Sequence, residues 1–208
     1  MKVTIKLTPF TTTIGLVAVF VVAVLLLKLS ASGTVIGPNT PPPAVPTTGS
    51  PALSDLVGRP APDFELPSYG NEPVRLSNLK GKKVVLFFNE GIMCYPACWD
   101  QIASLGKDER FGGDDAVALS VVVDPKERWK FAVDKLPDLA RATVLFDADR
   151  SASQAYGVLS LPSSMHPGQL PGHTYIVIDR EGIVRWVKDD PTMSNWNDEL
   201  VKQLAALS

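Results

Sequence analysis

The chain predicts a three-layer α/β sandwich built on a mixed β-sheet. Two uninterrupted β-rich runs, Val84-Val85-Leu86-Phe87-Phe88 and Ala116-Val117-Ala118-Leu119-Ser120-Val121-Val122-Val123, have the composition of strands covered on both faces. Each is followed by a segment with helical spacing. Late in the chain, Thr174–Ile178 and Ile183–Val187 flank Asp179-Arg180-Glu181-Gly182, a hairpin signal that adds antiparallel strands to an otherwise parallel sheet.

Taken in order, the chain opens with Lys2 and Lys6 and then a long apolar segment reaching Leu27. Counted from Phe10, it is about 18 residues long, near the lower limit for a helix that spans a bilayer. Beyond Lys28 no basic residue appears until Arg59. By the positive-inside rule, residues 1–36 read as a short cytoplasmic tail and a single transmembrane anchor, with the rest of the chain extracytoplasmic. A cleaved signal peptide is the alternative, because Ser30-Ala31-Ser32 offers small residues for processing. Residues 37–51 are rich in proline and poor in apolar bulk, the mark of a semi-rigid polyproline spacer. Residues 52–208 are long enough for one domain with its own core. The chain's 20 Lys and Arg face 22 Asp and Glu, and three of those lysines precede the spacer. The domain is therefore acidic, which argues against nucleic acid as a partner.

Within the domain, Phe64-Glu65-Leu66 and Val74-Arg75-Leu76 read as two short strands across a turn-rich patch. Lys83 to Asn89 is the first long strand, and Trp99 to Leu105 the helix after it. Pro125 to Val133 opens with a helix-starting proline and spaces Trp129, Ala132 and Val133 along one face. Val144-Leu145-Phe146 is a further strand, and Ser151 to Tyr156 a short helix closed by Gly157. Ser194 to Leu207 ends the chain as an amphipathic helix carrying Leu200, Val201, Leu204 and Leu207. Strand–helix alternation closed by a hairpin and a helix, with an N-terminal hairpin added in front, is a thioredoxin-like order.

Both cysteines of the chain fall in one motif, Cys94-Tyr95-Pro96-Ala97-Cys98, at a strand-to-helix turn. Unpaired N–H groups and the positive dipole end of a helix favour an anion there. Such a thiol has a lowered pKa, and its thiolate is the nucleophile of disulfide exchange and of peroxide reduction. A structural disulfide, or two inert buried thiols, is the plain alternative.

Pro60-Ala61-Pro62-Asp63-Phe64-Glu65-Leu66, then Val74-Arg75-Leu76-Ser77-Asn78-Leu79-Lys80-Gly81-Lys82, resembles the opening of the redoxin group. That group holds the alkyl hydroperoxide reductase/thiol-specific antioxidant proteins and membrane-tethered thioredoxin-like oxidoreductases. Phe146-Asp147 and Ala155-Tyr156-Gly157-Val158 are similar to the segment such proteins carry before their last hairpin. The resemblance implies a redox-active Cys94–Cys98 disulfide, with Cys94 attacking, Cys98 resolving and no bound cofactor. It implies a protein disulfide or a peroxide as substrate, and an electron-donating thiol protein as partner.

The chain departs from the family in informative ways. Peroxiredoxins place a proline seven residues, and a threonine or serine three residues, before the peroxidatic cysteine. Those positions hold Phe87 and Gly91 counted from Cys94, and Gly91 and Tyr95 counted from Cys98. Three residues between cysteines, where thioredoxins have two, also resembles the Sco-type copper chaperones, which add a distal histidine. His173, just before a late strand, stands in such a place, although the pattern after Cys98 is not that of a Sco protein. Either His173 or His166 reads more simply as an ordinary loop histidine. Pro171 is the nearest match to the cis-proline that faces the dithiol in thioredoxin-like folds. Glu90 and Asp100 flank the motif as candidate proton carriers or plain solvated groups, Trp99 as a shield or plain packing, and Met93 as core or rim.

The expected function is thus a membrane-anchored thiol–disulfide oxidoreductase. A thiol-dependent peroxidase of antioxidant type is one rival. A copper chaperone using Cys94, Cys98 and His173 is the other.

Overall fold

The computed structural model describes residues 52–70 and 72–207. Two short strands, β1 (Glu65–Leu66) and β2 (Val74–Arg75), pair antiparallel in front of the main sheet. That sheet has the order β5-β4-β3-β6-β7, from β3 (Lys83–Phe88), β4 (Ala116–Val122), β5 (Thr143–Phe146), β6 (Thr174–Ile178) and β7 (Val184–Asp189). Strand β3 runs parallel to β4 and antiparallel to β6, so the sheet is mixed as expected. Among the described residues four α-helices cover it: α1 (Ala97–Lys107), α2 (Lys126–Lys135), α3 (Ser151–Ala155) and α4 (Asn197–Ala205).

The continuous apolar run of β3 is explained by its two faces. Val85 and Phe87 join one buried cluster with Trp99 and Ile102 of α1, Trp129 of α2, and Leu200 and Leu204 of α4. Val84, Leu86 and Phe88 point the other way, into a second cluster with Leu56, Leu66, Ala152 and Tyr156. Period-2 alternation therefore divides one strand between two cores, giving the three layers. Each large apolar side chain so buried contributes about 1.5–3 kcal/mol.

The last helix is shorter than its sequence pattern, and the cause is local. The Asp190 carboxylate accepts from the Thr192 and Ser194 N–H groups and from Trp196 Nε1 (2.8 Å). These bonds hold 190–196 as a loop, and helix α4 begins only at Asn197. At the other end, helix α2 runs two residues past Val133, to Lys135.

The expected single-pass membrane location is corrected. Among the described residues no helix is long and apolar enough to cross a membrane. The longest, α1, has 11 residues, against about 20 needed for a span, and its apolar side is occupied by the sheet. The anchor and spacer expected over 1–36 and 37–51 lie outside the described residues.

Candidate active site

The site lies where the C-terminal ends of β3 and β4 meet the start of β6, the edge at which open α/β sheets place their ligands. Strand β3 ends at Phe88, and a tight turn follows. Asn89 Oδ1 accepts from Gly91 N–H (2.9 Å), while Asn89 Nδ2 donates to the Phe87 carbonyl (3.2 Å). Gly91 adopts φ +56°, and a Cβ there would overlap the Asp124 carboxylate, so glycine is required. Asp124 Oδ2 accepts from Ile92 N–H (2.9 Å) and anchors the turn to the end of β4. Burial raises the Asp124 pKa above the ordinary carboxylate range, despite that bond and the nearby Arg128.

This turn delivers both cysteines. Cys94 and Cys98 are joined by a disulfide, with their Cα atoms 5.3 Å apart. Cys98 lies in the first turn of α1, and its N–H donates to the Cys94 carbonyl (3.0 Å); Cys94 lies in the turn before the helix. Both sulfur-bearing residues are buried, yet the rim around them is open. Met93 and Tyr95 are 60% and 68% exposed, and Met165 is 51% exposed. Met193, held at φ +52° in the Asp190 loop, puts its Sδ 4.0 Å from Cys94 Sγ. Trp99 is buried, donates from Nε1 to the Gly91 carbonyl (3.1 Å), and meets the Tyr95 ring edge-on. It braces the turn from beneath.

His173 sits against the other sulfur. Its Nδ1 lies 3.6 Å from Cys98 Sγ and its Nε2 lies 2.8 Å from Tyr175 Oη. The Phe87 ring packs edge-on against it at 4.6 Å between centroids. Burial lowers the His173 pKa to about 4, although Asp190, the Ser194 carbonyl and Asp189 favour its charged form. The imidazole is therefore neutral near pH 7.

Glu90 is neither solvated nor at the sulfurs. Its side chain is 1% exposed. Oε1 accepts from Ser164 Oγ (3.1 Å), Met165 N–H (2.6 Å) and His166 N–H (3.0 Å), and Oε2 meets His166 Nδ1 (2.9 Å). It clamps the loop that carries Met165 to the rim. Asp100 is exposed on α1. Pro171 is buried, but the cis peptide bond among the described residues is Tyr95–Pro96, not one at Pro171.

The residue set of the copper reading does converge, its ligand atoms lying within 4.8 Å of one another. With the two sulfurs bonded together, however, the set offers no thiolate to a metal. Sequence reasoning missed Met193, Tyr175, Ser164 and Asp190. Only Asp190 carried a signal, as an acidic residue followed by Pro191 and Thr192 at a turn. A broad open cleft lined by Lys107, Arg110 and Trp186 shares Ser194, Asn195 and Trp196 with the Asp190 loop but includes neither cysteine.

Comparison with known proteins gives a consistent answer. The AhpC/TSA family matches residues 57–187. Peroxiredoxin Bcp of Escherichia coli (strain K12) is 30% identical over 154 residues, covering 69% of this chain and 92% of that protein. The chloroplastic peroxiredoxin Q of Sedum lineare is 32% identical over 154 residues, covering 72% and 78%. Among solved structures, the reduced 2-Cys peroxiredoxin of Plasmodium vivax superposes with a TM-score of 0.60 at 26% identity, covering 73% of this chain and 95% of that one. Peroxidoxin BcpB of Mycobacterium tuberculosis also gives 0.60, at 24% identity, covering 74% and 98%, a likeness of fold.

Proposed function

The chain belongs to the AhpC/TSA family, and from that premise we propose that it is a thiol-dependent peroxidase working through Cys94 and Cys98. This replaces disulfide exchange, the function expected first, because the relatives carry peroxiredoxin names. The observation that carries the proposal is the Cys94–Cys98 disulfide at the mouth of α1, the product that a two-cysteine peroxide cycle must leave.

In the reduced protein the Cys94 thiolate attacks one oxygen of the peroxide. The O–O bond breaks, the departing alkoxide or hydroxide takes a proton, and Cys94 becomes a sulfenic acid. Cys98 then attacks the Cys94 sulfur, water leaves, and the disulfide forms. Two electrons from an external dithiol restore both thiols by exchange. Cys94 takes the first role because it lies outside the helix, between the exposed Met93 and Tyr95. No metal or organic cofactor enters the cycle.

Disulfide exchange is retained as a second reading on a specific observation. No threonine or serine stands three residues before Cys94, and the exposed rim of Met93, Tyr95 and Met165 suits a polypeptide as well as a small peroxide. Side-by-side assays decide between them. Peroxide consumption driven by dithiothreitol should require Cys94, and consumption driven by a dithiol protein should require both cysteines. The Cys98→Ser protein should accumulate a Cys94 sulfenic acid that dimedone traps. Rapid insulin reduction with no peroxide turnover would overturn the proposal.

A further inference from the structure

The network around His173 favours one tautomer of its ring. Tyr175 Oη donates to the Ser194 carbonyl (3.3 Å), and a carbonyl can only accept. With the one hydroxyl proton directed to that carbonyl, the 2.8 Å contact with His173 Nε2 has that nitrogen as its donor. A neutral imidazole protonated at Nε2 has a bare lone pair on Nδ1, and Nδ1 is the atom beside Cys98 Sγ. The Tyr175 ring is itself stacked on Phe87 at 4.7 Å, and the Ser194 carbonyl is held by the Asp190 loop. A lone pair is thus aimed at one sulfur by three successive elements.

We infer that His173 is the general base for Cys98, accepting the thiol proton as Cys98 attacks Cys94. The inference rests on the reading that Cys98 resolves, and it holds for a sulfenic acid or a mixed disulfide at Cys94. In the peroxide cycle the proton passes from Cys98 Sγ to Nδ1 as the S–S bond forms. The hydroxide leaving Cys94 takes up that proton, giving water and returning His173 to neutrality. Tyr175 is a positioning residue, since it acts only through the imidazole.

The groups facing His173 are Cys98 of α1, Phe87 of β3, Tyr175 of β6, Asp189 at the end of β7, and Asp190 with the Ser194 carbonyl from the loop. The two aspartates favour imidazolium and burial opposes it, and burial prevails. The base is therefore available at all pH values above about 4. Resolution should be nearly independent of pH between there and the ionisation of Cys98 itself.

A test that does not depend on peroxide uses the reduced full chain with dithiobis-nitrobenzoate and a metal chelator in a stopped-flow instrument. Cys94 releases a first nitrothiobenzoate, and Cys98 releases the second as the disulfide closes. His173→Asn keeps an acceptor in the place of Nδ1 but removes the base. Its second phase should slow by about 100-fold at pH 6, with the first phase within about threefold. The defect should shrink as pH rises and Cys98 ionises unaided. Tyr175→Phe, which leaves the imidazole in place, should slow the second phase by several-fold and supplies the answer if His173→Asn does not fold. A second phase unchanged in rate and pH dependence in either folded variant would overturn the inference. A protein inert to peroxide but with a His173-dependent second phase would overturn the peroxidase reading and leave this one standing.

Discussion

Removing the Glu90 carboxylate should cost more stability than any change at the exposed rim, and the amount follows from its bonds. Glu90 Oε1 accepts from Ser164 Oγ and from two backbone N–H groups, and Oε2 meets His166 Nδ1, in a side chain 1% exposed. Glu90→Ala leaves the Met165 N–H without its acceptor and the His166 N–H with Ser164 Oγ (3.1 Å) alone. A buried group so orphaned costs about 1–3 kcal/mol, but the loop at 165–166 is half-exposed and water can reach part of it, so the lower end applies to each. The sum is about 2 kcal/mol, or roughly 4–8 °C in Tm for a domain of this size. Glu90→Gln keeps one amide oxygen for the two N–H groups and the Ser164 hydroxyl, and its NH2 can donate to His166 Nδ1. It should lose about 1 kcal/mol or less. Urea unfolding followed by tryptophan fluorescence gives both values, and the m-value should stay constant if only the folded state is affected. Equal losses for Ala and Gln, or a loss below about 0.5 kcal/mol for Ala, would refute the claim that Glu90 works as a hydrogen-bond clamp.

Gly91→Ala should destabilise by about 2–4 kcal/mol, because it combines a strained φ of +56° with overlap on Asp124; thermal unfolding measures it, and the Cys94–Cys98 disulfide should also re-form more slowly after reduction. Asp124→Asn should be neutral to stabilising at pH 7, by about 1–3 °C. Burial raises the folded pKa of Asp124, so its contribution is present below the unfolded value of about 3.9 and lost as pH rises through the folded one. The advantage of Asn should accordingly vanish near pH 3.5, which a Tm–pH series would show. Met193→Ala should expose Cys94 and speed its alkylation in the reduced protein by a few-fold, leaving Cys98 unaffected, as peptide mass mapping of labelled protein would reveal.

The layers of this fold were legible because β3 and β4 are short, rich in β-branched residues and apolar on both faces, as strands of a sheet covered twice are. The dithiol was legible for a local reason: five consecutive residues contain both cysteines. What surrounds it was not, because it comes from register. The pairing of Phe88 with Thr174 puts His173 beside the end of β3, and so beside Cys98, 75 residues away. Only its place before a late strand hinted at this. Glu90 read as a solvated flank because its acceptors' partners, residues 164–166, are equally distant in sequence. The expectation at Pro171 failed because a proline's isomer depends on the loop around it.

The polar groups that sequence reasoning undervalued share one physical task. The sheet's C-terminal edge has to hold two long loops, and apolar contacts there would close over the sulfurs. Carboxylates do the holding instead: Glu90 fixes 164–166, Asp190 fixes 192–196, and Asp189 takes the Ser163 N–H and hydroxyl. Each is satisfied by several donors, which offsets the cost of removing a charge from water. The loops can then carry Met165 and Met193 to the rim and set the Ser194 carbonyl behind Tyr175, while the disulfide stays within reach of a partner. Loosening any one clamp should therefore alter thiol kinetics before it unfolds the domain, and for the Asp190 loop the prediction is specific. Asp190→Asn retains a carbonyl acceptor for Ser194 N–H or for Trp196 Nε1 but not for every donor. It should slow the Cys98 step through a shifted Ser194 carbonyl while Tm falls by only about 2–4 °C, roughly 1 kcal/mol. A variant that loses that stability with an unchanged second phase would separate the loop from the chemistry.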